Sequence, residues 1–503
     1  MIKLIYRIES DYMSKKRMLI VTSVTLSVVT ISLGIVKLYQ TYALSNYIGT
    51  VTDTGIDVYI NDDSYASIPA NGSSNVYYML TNTNPGTVKY GVAYQTTSGV
   101  TVKVYDTSED PATGTIEEND KKYIKLHLEN KNSTNKTIEL STVLGYENGG
   151  DLVVPSGVTL VTDTYTPPPT AAEYITKLYT TASKTTVTNN SITYNTAPSV
   201  SLMNDRLGGT TTDLDGGNIR YYGASPNNYI YFNCSDYSNQ TSSTCETWRI
   251  IGVFDGKLKL IRGSQIGTYS WDNKNTSTGA ENDAGKNDWT TARLMKLLNP
   301  SDYYIADSND NGLGQSLYYN SASGKCYSGE NNATVDCDFT STGIKNDETK
   351  NMIAETTYNL GGWNLSGIYA NQIYEYERGT TVYSGRPTTW KGKIALAYPS
   401  DYGYAADLNQ CKDKTLYDYD NRTCTSNNWM KAIITNNGSN TGWLLTPYSG
   451  YSGIAWRVFS GGSVYVSAAY SAGGAVPVLS LSSELGIESG GDGSSSKPYK
   501  LSA

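Results

Sequence analysis

Histidine is almost absent: the chain of 503 residues has one, His127. A Ser-His-Asp triad or a Cys-His pair needs an imidazole beside its nucleophile, so residues 171–503, which contain none, exclude that chemistry. Phenylalanine is scarce as well, at 4 against 44 tyrosines. Aromatic area here comes with a hydroxyl that tolerates water, which suits half-buried sheet surfaces and contact surfaces for sugars or proteins. Basic residues are outnumbered, 39 Lys and Arg against 47 Asp and Glu, for a net charge of −8. That balance excludes a nucleic-acid partner, because phosphates require a basic surface. Close CxxC or Cys/His clusters are missing, so no structural metal is expected, and no cofactor. Paired carboxylates would suffice for a glycosidase, but among scattered acids such as Glu375, Glu377 and Asp401 nothing selects a pair, and no catalytic residue is assigned.

One long uncharged run is present. Met18 to Val36, MLIVTSVTLSVVTISLGIV, is close to the about twenty apolar residues that cross a hydrocarbon layer. Lys15, Lys16 and Arg17 precede it and Lys37 follows. The positive-inside rule then makes residues 1–17 a cytoplasmic N-terminus and 18–36 a transmembrane signal-anchor, with everything beyond exported. A signal peptide cleaved after Thr41-Tyr42-Ala43 is the alternative; the length of the run and the cation at its far end speak against it. The ending SSSKPYKLSA has neither an apolar tail nor a wall-sorting motif, so the expected membrane contact is through 18–36 alone.

All six cysteines follow residue 230 and fall into short-range pairs: Cys234 with Cys245, Cys326 with Cys337, and Cys411 with Cys424. Six cysteines allow 15 connectivities, but an even count beyond a signal-like segment reads as disulfides. Each loop would contribute about 3 kcal/mol in the chain-entropy model. All eight tryptophans also lie beyond residue 230, and this shift in composition marks two domains. The boundary is TYTPPPT, residues 164–170, a proline linker favouring extended polyproline structure.

Residues 44–163 read as a β-sandwich stalk domain. Ile56, Val58 and Ile60 alternate, as do Val102 and Val104, then Ile124, Leu126 and Leu128, then Ile138, Leu140 and Thr142. Asn84-Pro85-Gly86 and Glu147-Asn148-Gly149-Gly150 supply turns. His127 alternates away from Leu126 and Leu128 and is expected on the strand's exposed side. Residues 171–503 read as a disulfide-stabilised mixed α+β head. Thr170 and Glu173 have capping-box spacing for a helix. Trp248 to Leu260, WRIIGVFDGKLKL, carries an Asp-Gly hairpin signal. Asp288 to Leu298, DWTTARLMKLL, spaces Leu294, Leu297 and Leu298 as a helix's core stripe with Asp288 as its cap. Asp307, Asn309, Asn311 and Gly312 match the opening of a calcium loop, but position twelve is Tyr318 instead of Glu, so a polar turn is the reading.

Three stretches, PNNYIYFNCSD…CETWRIIGVFDGKLKLIR (Pro226 to Arg262), KIALAYPSDYGYA (Lys393 to Ala405) and WLLTPYSG…AWRVFSGGSV (Trp443 to Val464), with the ending GGDGSSSKPYKL (Gly490 to Leu501), resemble a family of uncharacterised, membrane-anchored surface proteins of gut Firmicutes. The C-terminal part also resembles the C-type-lectin-like fold of formylglycine-generating-enzyme relatives and of the variable proteins of diversity-generating retroelements. There, the segment from a Trp-Leu-x-x-Pro strand to a Gly-Val-Arg-Pro-like strand presents ligand-contacting side chains. Here these are Trp443 to Pro447 and Gly474-Ala475-Val476-Pro477, with Val476 in place of the usual Arg. No cysteine follows Cys424, so the copper chemistry of the enzymes is not carried over.

The resemblance implies a ligand-contacting patch at Tyr448, Ser449, Tyr451, Ser452, Ile454, Arg457, Tyr465, Ser467, Tyr470 and Ser471. Tyr and Ser together give rigid contact area and adaptable hydrogen bonding. The expected architecture is thus a transmembrane helix, a β-sandwich and a C-type-lectin-like head on a bacterial cell surface. The expected function is non-enzymatic, adhesin-like binding of an extracellular protein or glycan. A carboxylate-dependent carbohydrate-active enzyme and a purely structural envelope protein are the alternatives.

Overall fold

The computed structural model describes residues 42–45, 65–82, 86–145, 152, 154–272, 285–305, 312–365, 367–436 and 440–502. The chain divides into two units, residues 1–168 and 169–503.

In the first unit, period-two alternation decides what is buried. Gly72–Thr81 turns Val76, Tyr78 and Leu80 inward, and Lys121–Asn130 does the same with Ile124, Leu126 and Leu128. The two strands pair antiparallel, Val100–Tyr105 adds to the second, and Thr164–Tyr165 extends that sheet as a parallel edge. A second sheet runs in the order Tyr65–Ile68, Lys136–Gly145, Val88–Gln95, Thr113–Ile116. Both sheets feed one core that includes Ile68, Val92, Leu126, Ile138 and Leu140. Thr164 and Tyr165 therefore belong to this sandwich and not to a spacer.

His127 is not an open surface residue. It is 5 % exposed because Tyr165 stacks on it, with ring centroids 3.6 Å apart and planes at 7°. Its Nδ1 is 2.7 Å from Asn75 Oδ1 and its Nε2 is 3.4 Å from Glu129. Burial holds the imidazole below its ordinary pKa, with Glu129 pulling the other way.

The fold class and localisation need correction. Crossing a bilayer takes about twenty helical residues, whereas among the described residues no helix is long and apolar enough to cross a membrane. The longest of them, Ala171–Thr181, has 11 residues. The run 18–36 and the segment 1–17 lie outside the described residues, as do Ile56, Val58, Ile60, the turns at 84–85 and 147–150, and Asp307, Asn309 and Asn311. The fold is mostly β with a few short helices, and no membrane span or single-pass localisation is carried forward.

The second unit is built on a long sheet. Its order is Thr185–Asn189, Ile192–Ala197, Leu202–Asn204, Ile219–Tyr221, Glu246–Phe254, Lys257–Arg262, Val478–Ser480 and Ile394–Ala395, with Tyr229–Phe232 also on Glu246–Phe254. Asp255 and Gly256 turn the hairpin with φ of 49° and 70°, the left-handed values a tight two-residue turn requires. Five further strands, Gly267–Ser270, Ala472–Ala475, Gly442–Pro447, Ile454–Val458 and Val464–Ala468, form a second sheet in that order.

Helix Ala171–Thr181 starts on a complete capping box: Glu173 N donates to Thr170 Oγ1 at 3.2 Å and Thr170 N to Glu173 Oε2 at 2.8 Å. Leu294, Leu297 and Leu298 are buried on helix Arg293–Leu298, while Asp288 caps the preceding turn through Thr290 N at 3.0 Å. Tyr318 is in the core. Three disulfides join Cys234 to Cys245, Cys326 to Cys337 and Cys411 to Cys424. The unit's two ends meet: Ala171 N donates to Leu485 O at 2.6 Å, Thr170 bridges Gly486, and Gly486–Ile487 pairs with Leu501–Ser502.

Candidate functional site

Register in the second sheet sorts the tyrosine- and serine-rich positions. Trp443, Arg457 and Tyr465 are cross-strand partners on successive strands, so they share one side, while Trp456 and Val466 share the other. Trp443 is buried and donates through Nε1 to Tyr269 O at 2.9 Å. The Arg457 guanidinium lies 5.5 Å from the Trp443 ring centre and 4.6 Å from that of Phe459. Its Nε is buried with no hydrogen-bond partner among the described residues. Burial also pulls its pKa down.

Tyr465, 43 % exposed, meets Tyr417, 48 % exposed, edge-on at 5.5 Å, and Phe459 at 6.3 Å. Ser467, two residues along, shares that side and is half-buried. Tyr417, Phe459, Tyr465 and Arg457 thus form an aromatic ledge on the sheet's outer strand. Tyr417 sits inside the loop closed by Cys411–Cys424, a position no local pattern ties to residue 465.

The remaining positions lie elsewhere. Tyr448, Ser449, Tyr451 and Ser452 belong to the turn before Ile454–Val458. Asn287 Nδ2 pins that turn by donating to Tyr448 O at 2.7 Å, Tyr451 O at 2.9 Å and Ile454 O at 2.9 Å. Ser452 is 2 % exposed, its carbonyl accepting from Asn287 N and from Arg386 Nη2, so its role is structural. The Tyr448 ring packs 5.7 Å from Trp456, which stacks on Trp363 at 3.9 Å and 11°. Ser449 N donates to Trp363 O at 3.2 Å. Tyr451 is exposed. Ile454, Tyr470 and Ser471 are half-buried; Tyr470 O accepts from Ser270 Oγ at 2.7 Å, and Ser471 closes a turn with Ala468. The ten positions do not make one face.

The acids that the sequence brought into view do not share a cleft. Glu375 is exposed, whereas Glu377 and Asp401 are interior. Asp401 accepts from Arg220 Nη1 at 2.9 Å, Lys259 Nζ at 2.5 Å and Tyr398 N at 3.0 Å. Glu377 accepts from Ser400 N at 2.8 Å, Ser400 Oγ at 2.6 Å and Arg378 Nη1 at 3.1 Å. Asp205 completes the group on Arg220 Nε at 2.5 Å. With every oxygen of Asp401 and Glu377 occupied, the arrangement holds the fold together. Among the described residues no group of three His, Cys, Asp or Glu side chains could hold a metal ion.

Compared with protein-family models, with curated proteins and with solved structures, the chain matches none.

Proposed function

We propose that the protein is a non-enzymatic recognition module whose C-type-lectin-like head, residues 171–503, binds a protein or a glycan through the aromatic ledge at Tyr465. The observation that carries this reading is the exposed Tyr417–Tyr465 pair beside Arg457, a cation with an unpaired buried nitrogen. Tyr and Arg are enriched in binding hot spots, Tyr because it brings large contact area at low cost in side-chain freedom and Arg because its planar fork presents fixed donors. A disulfide holds one tyrosine's loop and a strand holds the other, so the ledge is set before a partner arrives. Of the positions implied by resemblance, Arg457, Tyr465 and Ser467 belong to this ledge.

The test is binding of the full chain to protein and glycan arrays, wild type against Tyr465→Ala, Tyr417→Ala and, as a control away from the ledge, Tyr451→Ala. Each ledge variant should lose about thirtyfold in affinity, the ~2 kcal/mol of a hot spot, and the control should not. The array that responds identifies the partner class. Binding indifferent to the ledge variants, or no binding on either array, refutes the reading.

A further inference from the structure

A second site lies on the long sheet, independent of the ledge. A pocket of about 420 Å³ is lined by Tyr229, Glu246, Thr247, Arg249, Arg262 and Ser264, with Gly263 and Ile433 completing the wall. It is large enough for a small organic molecule. Its two arginines are in opposite electrostatic situations. Arg262 donates to both oxygens of Glu246, at 3.0 and 3.1 Å, and its Nη1 to Ser264 Oγ at 2.9 Å. Trp248 Nε1 also donates to Glu246 at 3.0 Å. That pair is neutral and saturated.

Arg249 has no such partner. It is 7 % exposed, yet no carboxylate pairs with it among the described residues. Its Nε donates to Asn228 Oδ1 at 2.5 Å and its Nη2 to Pro226 O at 3.2 Å, both neutral acceptors, and its Nη1 has no hydrogen-bond partner among the described residues. Asn228 is itself fixed, donating to Ile250 O at 2.7 Å. The Tyr229 ring stacks on the guanidinium at 3.6 Å and Trp429 lies 4.9 Å away, so the plane is held and only its edge is available. Burial pulls the Arg249 pKa down to about 10, with the Tyr229 and Tyr221 phenols acting in the opposite direction. A buried cation of this kind is costly unless a counter-charge arrives.

We propose that this pocket binds a small organic carboxylate, with Arg249 Nη1 as the charged donor and the Ser264 hydroxyl, whose oxygen already accepts from Arg262, as a second donor. One uncompensated cation matches a monoanion. A dianionic phosphate would leave net negative charge beside Glu246. Tyr229 and Ile433 give the body of the ligand an apolar wall, which an acidic sugar or a non-sugar acid satisfies equally.

Ligand-observed saturation-transfer NMR on the full chain separates these sources, with glucuronate, benzoate and neutral glucose as probes. Saturable millimolar binding of glucuronate alone identifies an acidic sugar, of benzoate alone a non-sugar acid, and of both a site selective only for the carboxylate. Each should weaken with added salt. Glucose binding as well as the acids, or neither acid saturating at tens of millimolar, overturns the proposal. Arg249→Met should lose about tenfold or more. Thr247→Glu, at an exposed position of the rim, leaves the core untouched and should lose about tenfold through like-charge repulsion. Unchanged binding in Thr247→Glu overturns the proposal whether or not Arg249→Met folds.

Discussion

Replacing Asp401 by Asn should destabilise the second unit by about 3–5 kcal/mol, the usual cost of stranding one partner of a buried ion pair. Shape is nearly conserved, but the change removes the charge and also turns one of the two accepting oxygens into an amide donor that faces the donors around it. Asp401 accepts from two cations, and they are left in different positions. Arg220 keeps Asp205, whereas Lys259 has no other carboxylate partner among the described residues. Burial already pulls the Lys259 pKa down, with Asp401 opposing it. In Asp401→Asn that opposing pull is lost and the Lys259 ammonium is left buried without a counter-charge, which is where most of the cost arises. Removing the stranded cation should recover part of it: Asp401→Asn with Lys259→Met should cost at least about 1 kcal/mol less than the two single changes summed. Urea unfolding followed by tryptophan emission is the assay, because all eight tryptophans lie in this unit and none in the sandwich. A cost under about 1 kcal/mol for Asp401→Asn, or strict additivity in the double variant, would refute the reasoning.

Two pH effects follow from other buried groups. Burial pushes the Glu377 carboxyl from 4.5 up to about 7; the fold holds this proton more tightly than the unfolded chain does. Its contribution is therefore full below about pH 4.5 and falls by on the order of 3 kcal/mol as pH rises through about 7. Glu377→Gln should flatten urea midpoints across that window, and an unchanged slope counts against the assignment. His127 behaves in the opposite sense, its folded pKa being held below the ordinary 6.5 by burial against the pull of Glu129, with Lys103 adding to the depression. The contribution of His127 to the sandwich's stability is full above about pH 6.5 and is lost as pH falls below that value. As the chain's one histidine, His127 gives a single imidazole spin system, and Tyr165→Ala should return its NMR titration toward the ordinary value. A midpoint unmoved by that change would mean that Tyr165 is not the cover.

Local signals survived into the structure because their physics is local. The Thr170–Glu173 box spans three residues and the Asp255-Gly256 turn two, and each satisfies its own backbone geometry. The cysteine pairs, 11 to 13 positions apart, needed only short loops to close. What stayed hidden depends on distant partners. The cover over His127 comes from a strand 38 positions away, joined by parallel pairing that no alternation announces. Arg220, Lys259 and Asp401 meet from three separate elements. Among the tyrosine- and serine-rich positions, exposure was set by cross-strand register and by Asn287 threading the 448–454 turn. Composition alone made Ser452 look like Tyr465. The apolar run at 18–36 was plain in hydropathy, yet no described helix has the length to span a bilayer.

The meeting of Thr170 with Gly486, and of Gly486–Ile487 with Leu501–Ser502, has an engineering consequence. Entry and exit of the 170–502 segment lie on neighbouring backbone, so the segment is a cassette with a single port. It can be spliced into a surface loop of a host protein with short connections on both sides, or reconnected across the port and reopened at a different turn, without rerouting any strand of either sheet.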